Sequence, residues 1–170
     1  MQNRNVTLYR LGYSDVKTYI AAAAFVAGNI LAPQLCHLIP RGGLMLLPIY
    51  LFTLIGAYKY GWKVGLLTAL LSPLLNHLLF GMPPQAVLPI ILVKSVLLAL
   101  AAGFAAQYFK RATLSVFLLV VVIYQGVGTL AEWAMVGDFM PALQDIRVGF
   151  PGLLIQVFGG YLVVNKLLVK

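Results

Sequence analysis

Six apolar runs, separated by short polar or basic turns, leave this chain little choice of fold. They cover about residues 17–38, 44–59, 62–80, 86–109, 113–136 and 149–168. A helix needs about 20 apolar residues to span the hydrocarbon core. Inside that core each backbone N–H and C=O must find a partner within the protein, a condition that helices meet within one segment. Six such spans use up most of the 170 residues. The expectation is therefore one all-α integral membrane domain, a bundle of six transmembrane helices with no room for a soluble catalytic domain. The charge content agrees: 9% of residues are charged, against roughly 25% in soluble domains.

The stretch Tyr58 to Lys94, YKYGWKVGLLTALLSPLLNHLLFGMPPQAVLPIILVK, shows the pattern within one hairpin. A basic, aromatic foot of Lys59, Trp62 and Lys63 is followed by an apolar run that Pro73 is expected to kink or loosen. Gly81-Met82-Pro83-Pro84 turns the chain, and it re-enters apolar surroundings carrying Lys94. Basic residues favour the cytoplasmic side. With the N-terminus inside, the inner segments hold Arg4, Arg10, Lys17, Lys59, Lys63, Lys110, Arg111, Lys166 and Lys170, and the outer segments hold Arg41 and Arg147. Both termini are thus expected in the cytoplasm, with the chain in the inner (cytoplasmic) membrane. The first run continues to Leu38 like the later spans, so it is read as a span and not as a signal peptide. The net charge of +8 is spread thinly between apolar runs, so it reads as topology and not as a nucleic-acid surface.

In that layout the polar residues of the spans gather in the outer half: Gln34, His37, Asn76, His77, Gln125, Thr129, Glu132, Tyr50, Lys94 and Gln156. With Arg41 and Arg147 in outer loops they could ring a pocket open to the outside. Lys94 is the sharpest signal, because a charge at that depth costs several kcal/mol unless paired or hydrated. It reads either as a ligand contact, with Asn76 or His77, Glu132 and Gln156 around it, or as a structural ion pair with Glu132. Asn76 and His77 are neighbours on a helix, so at most one aims straight at a pocket; either alone could be an interhelical hydrogen bond. Arg41 and Arg147 read as ligand contacts or as solvated loop charges. Cys36, His37 and His77 lack a further ligand at helical or loop spacing, so no metal site is expected. A lone cysteine leaves no intramolecular disulfide.

The inner half carries small residues at helical spacing. Ala23 and Ala27, and Ala24 and Gly28, form small-xxx-small pairs on the first span; Ala99, Ala102, Gly103 and Ala106 do so on the fourth. Such faces let backbones approach closely. For the fourth span this reads as packing inside the bundle, whereas the alanine run of the first span permits a partner helix. Gly56 and Gly61 have phosphate-loop spacing, but Trp62 stands where the lysine should be. No HExxH or G-x-S-x-G motif is present, so the chain is read as a non-enzyme without a cofactor.

Six short helices, the A-x-x-x-A first span and the polar outer half, with the stretches HLIPRGGLMLLPIY, LLSPLLNHLLFGMPP and LPIILVKS, resemble the substrate-binding S components of energy-coupling-factor (ECF) transporters. The resemblance implies a micronutrient, a vitamin-like small molecule, bound in an outward-facing pocket. It implies docking through Ala23 and Ala27, supported by Ala24 and Gly28, onto a transmembrane coupling subunit driven by two ATPase subunits. The cobalt and nickel branch begins Met-His, whereas this chain begins Met1-Gln2, which argues against those metals. No residue pattern here identifies biotin, riboflavin, thiamine or folate. The alternative is a structural six-helix membrane protein, like the rod-shape scaffold of the MreD type.

Overall fold

The computed structural model describes residues 8–167, and no strand occurs among them. The helices are α1 (Val16–Cys36), α2 (Gly42–Leu46), α3 (Pro48–Tyr60), α4 (Trp62–Phe80), α5 (Leu88–Phe109) and α6 (Leu114–Val136). The short helices α7 (Phe139–Ala142), α8 (Gln144–Arg147) and α9 (Phe150–Leu154) follow. The chain then continues helically through π turns at Ile155–Gly159 and Val163–Leu167, with α10 (Gly160–Leu162) between them. Five segments are long and apolar enough to cross a membrane: α1, α2 with α3, α4, α5 and α6. Their outward faces are apolar, with Leu31, Leu78, Phe104, Val122 and Leu130 all exposed. In water such a surface would drive aggregation; in hydrocarbon it is the required one. This is a multi-pass membrane protein.

The second apolar run is broken near its N-terminal end. Leu47, just before Pro48, takes a left-handed backbone (φ 46°, ψ 48°). The proline ring disfavours a right-handed helical residue before it, so α2 ends there and α3 starts afresh. Gly149 and Gly152 fit against this break. A Cβ on Gly152 would lie 2.5 Å from the carbonyl carbon of Leu46, and one on Gly149 would lie 2.7 Å from Leu47 Cδ1. The last helical segment therefore passes close to the N-terminal end of α3. At the far ends of α4 and α6, Gly81 and Gly137 take positive φ and close each helix by donating to His77 O and Trp133 O, both at 2.8 Å.

Helix α3 is the centre. Its residues Ile49, Tyr50, Leu54, Ile55, Ala57 and Tyr58 are buried, and α1, α4 and α5 pack around it. Without a hydrophobic difference between lipid and protein interior, close packing holds such helices together. The small residues supply it. A Cβ on Gly65 of α4 would come within 2.4 Å of Ala57 Cβ on α3 and 3.1 Å of Ala99 Cβ on α5. Ala99, Ala102, Gly103 and Ala106 are all buried, so the small face of α5 serves the bundle itself.

Helix α4 runs through Pro73 as one helix, without the break that a proline can cause. Helix α1 likewise contains Pro33. A proline has no N–H for the carbonyl four residues earlier, here Asn29 O. Asn76 of α4 supplies the missing donor: its Nδ2 donates to Asn29 O at 2.9 Å and to Ser72 O at 2.9 Å. The Asn29 side chain in turn donates to Thr53 Oγ1 (3.0 Å) and Ser72 Oγ (3.1 Å). This buried network ties α1, α3 and α4 together.

Candidate binding site

Lys94 lies six residues into α5, on the face that also buries Ile90, Ser95 and Leu98. At about 1.5 Å rise per residue, its Cα is on the order of 10 Å in from the N-terminal end of α5. Its alkyl stem crosses α6 at Gly128, where an added Cβ would sit 2.9 Å from Lys94 Cγ. One helical turn further along the same face is Glu132. The ammonium lies 2.5 Å from Glu132 Oε2 and donates to Asp145 Oδ2 at 2.6 Å. Asp145 comes from α8, in the connection 137–149, which folds back over the bundle. Asp138 caps α7 by accepting from Met140 N at 3.0 Å, and the turn between α7 and α8 then carries Asp145 inward.

The result is one ammonium between two carboxylates. The Lys94 side chain is 2% exposed, whereas Glu132 and Asp145 are 14% and 18% exposed. The carboxylates therefore roof the lysine, and two of its three N–H groups are directed to them. Anything arriving from the end of the bundle that carries α7 and α8 meets Asp145 and Glu132 before it meets Lys94.

Beside this cluster, Tyr50 of α3 packs its ring 5.8 Å from that of Tyr124 of α6. The Tyr124 hydroxyl donates to Gln156 Oε1 at 2.7 Å. Gln156 sits in the π turn 155–159, a local irregularity often found at functional sites. Its Nε2, together with Gln125 Oε1 and Ser95 Oγ, is buried without a hydrogen-bond partner among the described residues. Each such group seeks a partner, so this part of the interior has unused hydrogen-bonding capacity.

The other expected site residues lie elsewhere. Asn76 is committed to the α1–α4 contact. His77 Nδ1 is 2.7 Å from Pro83 O and so pins the turn after α4. Arg41 and Arg147 are exposed and take no part in the Lys94 ion pairs. Asp145 is the residue that the sequence reading missed, since a loop acid gives no sign of which span it will face. Gly128 was also missed; its spacing of four from Glu132 on α6 was the available signal.

At the small-residue face of α1, Thr18, Ala22, Val26, Asn29 and Pro33 turn inward, while Ala23, Ala24 and Ala27 are exposed. Gly28 belongs to the inner contact, because a Cβ there would lie 2.8 Å from the Phe52 ring of α3. It serves the α1–α3 packing and not the free face.

Comparison with family models, with curated proteins and with solved structures gave no match.

Proposed function

We propose that the chain is the substrate-binding membrane subunit of an ECF-type importer, in the cytoplasmic membrane with six spans and both termini inside. It takes a micronutrient at the outer end and hands it to a transmembrane coupling subunit served by two ATPase subunits, without catalysis of its own. The observation that carries this reading is the face Ala23–Ala24–Ala27. The bundle leaves it uncovered, and alanines at that spacing admit another helix backbone. The polar site around Lys94, Glu132, Asp145 and Gln156 is built from α5, α6, α8 and the last helical segment, whereas the alanine face lies on α1, so docking and ligand binding need not compete. For ligand to reach Lys94, the Asp145-bearing connection has to swing aside, or Asp145 has to exchange the lysine for a group of the ligand.

A structural scaffold has one observation in its favour: Lys94 is already paired on two sides. One experiment separates the readings. The tagged chain is purified from its own host, and its bound small molecules and partner proteins are identified by mass spectrometry. Importer function predicts a retained small molecule together with a membrane subunit and ATPases. Ala23→Leu and Ala27→Leu keep the small molecule and lose the protein partners. Retention of the partners by both variants, or no small molecule on the wild-type chain, overturns the proposal.

A further inference from the structure

The end of the bundle opposite Lys94 carries a groove. Two adjoining clefts of about 330 and 200 Å³ share Arg10, Gly61 and Gln107. One is bounded by Tyr9 and Lys110, the other by Trp62 and Lys63. The N-terminal segment forms one wall, held to the end of α3 by Tyr9 N→Lys59 O (2.8 Å) and Leu11 N→Tyr60 O (3.2 Å). The ends of α3 and α5 and the start of α4 form the rest.

The groove is built for an anion. Arg10, Lys63 and Lys110 line it, and among the described residues no aspartate or glutamate does. Asp15 stands nearby, accepting from Gly12 N at 2.8 Å. Arg10 is oriented by its bond to Gln107 Oε1 at 3.2 Å. Lys59 stands behind the wall: it is 2% exposed, and its Nζ has no hydrogen-bond partner among the described residues. That Nζ lies 5.5 Å from the centre of the Tyr9 ring, which lines the groove. Helix α4 starts at this point behind Gly61 with no side-chain cap. Its first N–H groups and the positive end of its dipole add to the attraction for an anion.

Aromatic residues place the groove at headgroup depth. Trp62 meets the Tyr13 ring edge-on at 6.4 Å and stacks on Phe104 at 6.4 Å, and Lys63 lies over both the Tyr13 and Trp62 rings. Tyr108 nearby is 82% exposed. Tryptophan and tyrosine favour the membrane–water boundary, and basic recesses between spans suit phospholipid headgroups.

We propose that this groove binds the phosphate of an anionic membrane lipid, with Arg10, Lys63 and Lys110 as its cationic walls and the start of α4 as its floor. The proposal goes beyond the importer reading and does not depend on it.

Trp62 reports on the site once Trp133, which is half-exposed, is replaced by Phe. The full chain in neutral detergent is titrated with phosphatidylglycerol, phosphatidylcholine or inorganic phosphate while Trp62 emission is followed. Native mass spectrometry counts retained lipid in parallel. The expected result is saturable binding of phosphatidylglycerol, at least tenfold weaker binding of phosphatidylcholine, and no response to inorganic phosphate at the same concentrations. Arg10→Gln with Lys63→Gln and Lys110→Gln should weaken phosphatidylglycerol binding tenfold or more without lowering Tm. If that combination fails to fold, Lys110→Gln alone should weaken binding measurably. Equal binding of the two lipids, or undiminished phosphatidylglycerol binding in a folded variant, overturns the site. Saturation by inorganic phosphate alone overturns the lipid as its source.

Discussion

Replacing Lys94 by Met preserves side-chain length and removes the charge that holds Glu132 and Asp145 together. The two carboxylate oxygens are 2.5 and 2.6 Å from the same nitrogen, so they stand at most about 5 Å apart. Two like charges at that separation repel by about 3 kcal/mol at an effective dielectric of about 20. That matches the general experience that removing one member of a buried charge pair is strongly destabilising. For a chain of this size the expected fall in Tm is roughly 6–12 °C. It is limited by how readily one carboxylate takes a proton or the Asp145 connection swings out. Neutralising Glu132 as well, in Lys94→Met with Glu132→Gln, leaves only Asp145 charged, at the more exposed of the two positions, and should recover most of the loss. Adding Asp145→Asn should bring Tm to the wild-type value or above, because well-packed neutral replacements of buried ion pairs are often neutral or stabilising. The assay is thermal unfolding of the wild type and these three variants in one detergent. A Lys94→Met protein melting within about 2 °C of wild type, or no recovery in the combined variants, would refute the electrostatic account of the cluster.

Asn76→Leu removes the donor that satisfies Asn29 O beside Pro33 and should destabilise the fold by about 1–3 kcal/mol, read as a lower Tm. Gly128→Ala places a methyl group where the Lys94 stem now runs and should destabilise by about 1–3 kcal/mol; a double-mutant cycle with Lys94→Met should show strong coupling between the two sites. In a Cys36→Ala background, a cysteine in place of the exposed Gln85 should react with an impermeant reagent on intact cells; labelling only after lysis would invert the proposed topology.

That the chain is helical and crosses a membrane more than once, the approximate limits of its first five apolar runs and the concentration of basic residues at one end were legible along the chain; the sixth expected run, 149–168, is not one of the five segments, among the described residues, that are long and apolar enough to cross. The legible features follow from the thickness of hydrocarbon and from where charge can rest, and both act on sequence position directly. The expense of burying Lys94 was legible for the same reason, as was Glu132 as a candidate partner at similar depth. Which way each helix faces was much less so. These spans are apolar nearly all round, so little in their pattern distinguishes the face toward lipid from the face toward protein. Only the packed bundle decided that Gly28 receives Phe52 while Ala23, Ala24 and Ala27 remain uncovered. The commitment of Asn76 to Asn29 O was half legible, since Pro33 announces a carbonyl without a donor; which helix would supply that donor depends on how α4 crosses α1. Asp145 was beyond reach of the sequence, because the connection bearing it can meet Lys94 only after α5 and α6 have packed and α7 and α8 have turned the chain back over them.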